Sequence, residues 1–525
     1  MKLLTAEQMR TLDKRTIDDL GLAGAILMET AGRGVVRAIA ARLGEAGENR
    51  LATVLAGPGN NGGDGFVIAR ELAYRGFRVH VWVAGTAEQM SPETRLHYEA
   101  MRGVGVSPRH YAEGGGQRDL KQLHRSLLRS AVIVDALLGI GPEADLREPM
   151  ATLVRQLDGR HDALTVAVDL PSGLHADSGR ILGAAARVDL VVTMAAAKPG
   201  LFLGDGPSCW RELEVVEIGI PPAWIAAATP ACERIDSASV GGLLAERSDL
   251  QHKTQLGHLF VVAGSAGKAG AALLASHAAM RSGVGLTTLG TSGEIRSRLE
   301  ARFADLMVEA VRGGPGEARR VEKLLSDKTA VAVGPGLGTT ANDLDLIARL
   351  LSLSEVPVVL DADGLSALAA KPDIAAPAAG RLVLTPHPGE MARLLGTEIA
   401  SVQADRLGHA RQAAERWQAV VVLKGPRTLV VDHGGDWAIC DQPNVALAKA
   451  GSGDVLCGIL GSLLAQGLAP YAAARVAVAA HAAAGHEVRA RVGSVASMAS
   501  DLVDALPAVW SKMAAGAAPA ARGPR

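Results

Sequence analysis

Short apolar runs that each close on a cluster of glycines and small polar residues recur along this chain, and they restrict its fold more than any other feature. Leu51–Ala56 leads into Gly57-Pro-Gly-Asn-Asn-Gly-Gly-Asp-Gly65, Ala131–Val134 into Asp135 and Gly139-Ile-Gly141, and Leu164–Val168 into Asp169-Leu-Pro-Ser-Gly173. Val79–Val83 and Val188–Met194 are strand-like as well. A second series follows: Leu259–Ala263, Ala330–Val333, Val356–Leu360, Leu382–Leu384, Val420–Leu423 and Thr428–Val431. Apolar strands separated by crossovers predict an α/β fold with mostly parallel, doubly wound sheets. In such a sheet the carboxyl ends of the strands share one edge, and ligands bind there.

The chain has 525 residues, which at roughly 100–200 per domain suggests two to four domains. The rhythm breaks around Gly219-Ile-Pro-Pro222. We therefore expect a domain over residues 1–220, a linker over 221–236, a second domain over 237–512 and a disordered tail over 513–525. The net charge is −1 and aromatics are 3% of residues, which argues against nucleic acid as a partner. Cys209, Cys232, Cys440 and Cys457 form no C-x-x-C pair and no disulfide framework. The first twenty residues carry Glu7, Arg10, Asp13, Lys14, Arg15, Asp18 and Asp19, so no signal-peptide h-region fits there, and the Ala472–Ala484 stretch is interrupted by Arg475 and His481. No membrane contact and a reducing, cytoplasmic setting are the expectation. The Ala-rich helices near the end leave homo-oligomer packing open.

Gly57–Gly65 follows a strand and opens a helix, so its amides suit an anion, while two Asn and an Asp offer oxygens to a cation. Asn61, Asp135 and Ser172 lie at three strand ends and are expected to converge. One carboxylate with two neutral oxygens suits a weakly hydrated monovalent ion better than zinc. Taken alone, Asp135 reads equally well as a helix cap. Lys198, just after a strand, is placed to neutralise an acid or move a proton. GNNGGDG, VDALLGIG, VDLPSG, AAAKPG and Leu27-Met28-Glu29-Thr-Ala-Gly32 together resemble the NAD(P)H-hydrate epimerase domain, with a Rossmann-like sheet, over roughly residues 1–220. The resemblance implies that Asn61, Asp135 and Ser172 hold potassium. It implies that Asn60, Asn61, Gly62, Gly63, Asp64, Gly139, Ile140, Gly141 and Asp169 meet the hydrated nucleotide. Asp169 is the expected acid/base, assisted by Lys198.

In the second half, Gly451, Ser452 and Gly453 can aim successive N–H groups at a phosphate, aided by a helix N-terminus. Asp454 beside them can take a proton from an attacking hydroxyl. GSGD after a long α/β array resembles the ribokinase-like superfamily, whose fold is an α/β/α sandwich. HKTQLGH, GSAGKAGA, GPGLG, DADGL, TPHPGEMARLL, KGPRT and AGSGDVLCGIL narrow the resemblance to ADP-dependent NAD(P)H-hydrate dehydratases over about residues 237–510. It implies that Ala271, Gly336, His387 and Asp454 meet the hydrated substrate, and that Lys424, Gly425, Pro426, Arg427, Thr428 and Gly453 meet the adenine nucleotide. Pro426 and Arg427 depart mildly from the family's pattern, and Arg427 either adds a phosphate contact or points to solvent.

These resemblances imply a nicotinamide nucleotide repair enzyme acting on NAD(P)HX. One site would interconvert the R and S forms. The other would dehydrate the S form to NAD(P)H, consuming ADP and giving AMP and phosphate, with magnesium on the phosphates. A hydroxyethylthiazole- or pyridoxal-type kinase is the alternative that AGSGD alone would allow. A non-enzymatic binding protein is the alternative of another class.

Overall fold

Val, Ile, Leu and Ala fill the runs that precede each glycine cluster, and burial on both faces makes those runs central parallel strands. The computed structural model describes residues 1–111, 116–158, 162–244, 247–299, 304–312 and 317–516. The chain divides into two units between Cys232 and Glu233, inside the stretch expected to be a linker. That stretch holds a short helix, Pro222–Ala226, and a strand, Cys232–Arg234.

In the first unit the strands are β1 (Leu51–Ala56), β2 (Arg78–Ala84), β3 (Pro108–Tyr111), β4 (Ser130–Ala136), β5 (Leu164–Val168), β6 (Leu190–Met194) and β7 (Glu212–Val216). They form a seven-stranded sheet in the order β3-β2-β1-β4-β5-β6-β7, with every neighbour parallel. Val54 stands opposite both Val81 and Val134, which fixes the register at the centre. The winding reverses between β1 and β4, and such a switch point opens a ligand crevice at the strand ends. The helices are α1 (Ala6–Leu20), α2 (Gly24–Leu43), α3 (Asn60–Tyr74), α4 (Pro92–Gly103) and α5 (Gln117–Arg129). The expected capping box starts α1: Gln8 N donates to Thr5 Oγ1 at 3.2 Å and Thr5 N donates to Gln8 Oε1 at 3.0 Å. Gly21, with φ 68°, ends it. Ala52, Val54, Ala56, Val81, Val134 and Val168 join residues of α2 and α3 in one core.

In the second unit the strands are β8 (His258–Val262), β9 (Leu286–Ser292), β10 (Met307–Arg312), β11 (Ala330–Val333), β12 (Val358–Leu360), β13 (Leu382–Leu384), β14 (Ala419–Leu423), β15 (Thr428–Val431) and β16 (Trp437–Cys440). Their order is β16-β15-β14-β13-β12-β11-β8-β9-β10. Only the β14–β15 and β15–β16 pairs of this series are antiparallel. The winding reverses between β8 and β11. The helices used below are α6 (Ala269–Arg281), α7 (Ala341–Leu353), α8 (Asp363–Ala370), α9 (Pro388–Leu395), α10 (Arg406–Trp417), α11 (Ser452–Ala465), α12 (Pro470–Val492) and α13 (Ala499–Gly516). Leu259, Val261, Ala332, Val359, Val383 and Val420 pack with α6, α11, α12 and α13 in one core on one face of the sheet. On the other side α7, α8, α9 and α10 touch in series, so the sheet is sandwiched between two helical layers.

The Ala-rich helices α12 and α13 are spent on this core. Helix α13 runs to Gly516, so residues 513–516, expected in the tail, are helical; alanine's helix propensity carries the helix on. The rest of the expected tail, 517–525, lies outside the described residues. Strands β3, β7, β9, β10 and β16 were not foreseen. In β3, β7, β9 and β10 polar residues, as in Glu212–Val216 and Leu286–Ser292, break the apolar run that identifies a central strand, and the apolar β16 is only four residues long. Among the described residues no helix is long and apolar enough to cross a membrane.

Candidate active sites

The loop after β1 and the loop after β4 meet at the first switch point and wall a cavity of about 680 Å³. Asn60, Asn61, Asp64, Gly139, Ile140, Gly141, Asp169 and Lys198 line it. Gly62 and Gly63 do not line it. A Cβ on Gly62 would lie 1.8 Å from the Gly57 carbonyl oxygen, and one on Gly63 would lie 2.3 Å from Met28 Sδ. Their smallness lets the first turn of α3 close against the loop and against α2.

Lys198 is fully buried and pairs with Asp169 Oδ1. Thr193 Oγ1 and Met194 N donate to the same oxygen at 3.0 and 3.2 Å. Lys198 Nζ also donates to Thr193 Oγ1 and the Met194 carbonyl, each at 3.1 Å. Asp169 adopts φ 68°, a left-handed conformation unusual for a non-glycine residue. The strain, on the order of 1–3 kcal/mol, falls where the chemistry would be. Its other oxygen, Oδ2, faces Gly139: a Cβ built there would lie 3.6 Å from it.

Behind the wall, Asp135 and Ser172 are buried together. Ser172 N donates to Asp135 Oδ2 at 2.8 Å and Ser172 Oγ to Oδ1 at 2.6 Å. Leu138 N donates to Ser172 Oγ at 2.9 Å. Burial pushes the Asp135 carboxyl up to about 6, against these hydrogen bonds. Asn61 Oδ1 stands beside Gly139, 3.4 Å from where a Cβ on that glycine would be, on the same side as Asp169 Oδ2. Asp13, from α1, also lines the cavity, and sequence reasoning gave it no role. Nothing in its local pattern marks it, because it sits mid-helix without glycines around it.

The second site lies at the strand ends of the second sheet. Ala271 and Gly336 abut across the β8–β11 switch point: a Cβ on Gly336 would lie 3.1 Å from that of Ala271. Ser265 Oγ donates to the Gly336 carbonyl at 2.8 Å, joining the two loops. The DADG turn splits its two carboxylates around Ala362, which is held at φ 48°. Asp363 Oδ2 accepts from Gly338 N at 2.9 Å, while Asp361 Oδ1 accepts from Thr385 Oγ1 and Lys424 Nζ, each at 2.7 Å. Lys424 Nζ also lies 3.6 Å from Glu390 Oε2. It sits beside the glycine loop, 3.4 Å from where a Gly453 Cβ would be. The carboxylates of Asp361 and Glu390 hold the lysine charged, and its proton affinity is raised despite burial. Both acids stood inside motifs noticed in the sequence, yet neither was given a role there.

Gly451 has φ 88° and starts α11 at Ser452. Ser452 Oγ is 3.0 Å from His481 Nε2, which α12 delivers from the core side; burial drives that imidazole down to about 4. Burial first, and Asp361 second, lift the Asp454 carboxyl to about 6. His387 caps α9: its Nδ1 accepts from Gly389 N at 3.0 Å and Glu390 N at 3.2 Å, and its ring stays half exposed. Thr428 Oγ1 donates to the Gly425 carbonyl at 3.1 Å, and Gly425 and Pro426 are exposed. Arg427 Nε donates to Asp441 Oδ1 at 2.6 Å, which ties the loop to the neighbouring strand's end. That acid, on the neighbouring antiparallel strand's end, was invisible without the sheet order.

Comparisons with known proteins bear on both halves. The family model described as "YjeF-related protein N-terminus" matches residues 24–200, and that described as "NAD(P)H-hydrate dehydratase" matches residues 259–508. The bifunctional NAD(P)H-hydrate repair enzyme Nnr of Moorella thermoacetica is 37% identical over 515 residues, covering 97% of this chain and 96% of its own. That of Salinibacter ruber is 38% identical, with the same coverages of 97% and 96%. Among solved structures, an ADP/ATP-dependent NAD(P)H-hydrate dehydratase from Bacillus subtilis is 30% identical, with a TM-score of 0.47, over 55% of this chain and 100% of its own. With both units matched in order and relatives above one-third identity along nearly the whole length, the chain belongs to the family of bifunctional NAD(P)H-hydrate repair enzymes.

Proposed function

We propose that the first site interconverts the R and S forms of NAD(P)HX through Asp169 and Lys198, and that the second dehydrates the S form at the expense of ADP through Asp454. The observation that carries this reading is the placement of Asp454 beside the Gly451–Gly453 loop with Lys424 at its edge. The hydroxyl on ring carbon 6 leaves poorly by itself. Asp454 takes its proton as the oxygen attacks the terminal phosphate of the nucleotide, and the loop amides and Lys424 meet the developing charge. The ring nitrogen then expels phosphate, giving an N=C6 iminium, and loss of a proton from carbon 5 to solvent restores the reduced nicotinamide; AMP is the other product. Ala271, Gly336 and His387 line the path for the nicotinamide portion, and Gly425, Pro426 and Thr428 that for the adenine nucleotide. Arg427 contributes by fixing its loop through Asp441.

Magnesium fits as a companion of the nucleotide. Among the described residues no trio of His, Cys, Asp or Glu forms a ready cage, and magnesium commonly keeps one or two carboxylates plus substrate phosphates. Its part is to neutralise phosphate charge. Potassium fits the corner of Asn61, Asp135 and Ser172. The donors are all oxygen, and among the described residues Asp135 is bonded by Ser172 and Leu137 N, with no cationic side chain. Its part is to balance that buried carboxylate and hold the 135–139 segment. We extend the proposal to a homo-oligomer in the cytoplasm; light scattering reads the first and fractionation the second.

The test mixes the protein with each NADHX epimer and ADP and follows recovery of the near-ultraviolet absorbance of NADH. S-NADHX with ADP should recover at once, and R-NADHX with a lag. Absence of ADP-dependent recovery overturns the dehydratase reading, and absence of R-to-S conversion above the spontaneous rate overturns the epimerase reading.

A further inference from the structure

Three carboxyl groups line the first cavity: Asp13, Asp64 and Asp169. Lys198 among them is taken by Asp169. Arg10 stands exposed at the rim, its Nη2 donating to the Ile140 carbonyl at 3.0 Å. Helix α1 turns Met9, Asp13 and Ile17 to the cavity at four-residue spacing, so Asp13 is the one acid in an otherwise apolar stripe. A structural reason for it is missing. It is too far along α1 to cap it, and Thr5 with Gln8 already does so. Among the described residues it has no ion pair or hydrogen-bond donor. Burial raises its carboxyl to about 6, with Lys198 opposing and Asp169 adding to the shift. Burial raises the Asp64 carboxyl too, with Asp169 and Asp13 repelling it. Two carboxyls with proton affinity raised by burial, in one cavity with Asp169, are placed for acid–base catalysis.

An acid-rich, poorly solvated cavity also discriminates between routes. Ring opening passes through a neutral aldehyde. Loss of water from carbon 6 passes through an iminium cation, which carboxylates stabilise. We propose that Asp13 is a second catalytic residue of this site, and that with Asp169 it epimerises the hydrated ring by reversible loss of water. This rests on the epimerase reading above. In the first step the ring-nitrogen lone pair forms N=C6 while the C6–O bond breaks, and Asp13 gives its proton to the departing hydroxyl, so water leaves. In the second, water adds to carbon 6 from the other face, the N=C6 electrons return to nitrogen, and a carboxylate takes the proton. No oxidant or reductant is needed.

The test uses the full chain in water labelled with oxygen-18, with R-NADHX and no ADP, and subtracts the spontaneous reaction. Each early S molecule should carry the label. Early S molecules that keep the original oxygen overturn the water-loss route. Asp13→Asn should slow interconversion about 100-fold, the lower end for a lost proton-transfer group, and Asp13→Glu should recover a large part. Interconversion by Asp13→Asn within threefold of the unaltered chain, with intact near-ultraviolet circular dichroism, overturns the role of Asp13. A loss shared equally by Asp13→Glu and Asp13→Asn also overturns it, since chemistry would distinguish the two. If the unaltered chain does not interconvert the epimers at all, it is the epimerase reading that fails.

Discussion

Asp169 and Asp454 occupy sites of different electrostatic design, and their substitutions should separate accordingly. Asp169 is gripped by Lys198, Thr193 and Met194 N, so Asp169→Asn leaves a buried lysine without its carboxylate. Breaking a buried pair costs on the order of 3–5 kcal/mol. We expect both a lower melting temperature for the first unit and loss of interconversion, read by calorimetry and by epimer-resolved chromatography. Asp454 has no such partner and should be replaceable by Asn without unfolding, while ADP-dependent dehydration falls at least 100-fold. The proton affinity of Asp454 also sets a pH dependence. A base must be ionised, and this one ionises around pH 6 rather than near 4 because it is buried close to Asp361. kcat/KM for dehydration should therefore fall tenfold per unit below pH 6 and level off above it. An unshifted Asp would keep the profile flat down to about pH 4, and a flat profile there would remove Asp454 from the base role. The sign for stability runs the other way. The folded state holds the proton more tightly than the unfolded one, so this group stabilises relatively at low pH and loses that advantage as pH rises through about 6.

The elements that carry these residues were readable because each obeys a short-range rule. Leu51–Ala56, Leu164–Val168, Ala330–Val333, Leu382–Leu384 and Thr428–Val431 stand as strands with the same ends that their apolar runs mark. The capping box and Gly21 bracket α1 in the same local way. Hidden features depend on partners far along the chain. Strand β9 contains Thr287, Thr288 and Thr291, whose burial comes from neighbours on both sides and not from its own pattern. Asp13 reaches a cavity whose other walls come from several distant segments, some of them more than a hundred residues onward, and Arg427 meets Asp441 only because β15 and β16 pair antiparallel. Helix α11 shows how such packing seats a loop. A Cβ on Gly458 would come 2.1 Å from the Ala275 carbonyl oxygen of α6, so the two helices touch backbone to side chain there. Gly458→Val should force α11 outward and cost about 1–3 kcal/mol, the range for overpacking. Because α11 begins at the anion loop, dehydration should weaken with it while interconversion in the first unit holds. Urea unfolding with both assays checks this, and a variant that loses stability without losing dehydration would uncouple helix from loop.

At the scale of the whole chain, two units with separate sheets and separate cores carry steps that share a substrate. Hydration of the ring yields both configurations at carbon 6, while a site that orients one hydroxyl toward a phosphate accepts only one of them. Joining the two units keeps their amounts equal, which suffices when the intermediate is a released epimer. The residues proposed for each step lie within one unit: Asp169 and Lys198 in the first, and Lys424, Asp361 and Asp454 in the second. Free exchange of the epimer through solvent therefore predicts complementation between damaged chains. Asp169→Asn should repair only the S share of a mixed NADHX sample, with the R share following at the spontaneous rate. Asp454→Asn should equilibrate the epimers and restore no NADH. An equimolar mixture of the two full-length variants should clear R-NADHX with ADP at about half the rate of the same total amount of unaltered protein, since half of each kind of site is intact. A mixture that clears R-NADHX no faster than Asp169→Asn alone would show instead that the epimer must pass between sites of one molecule.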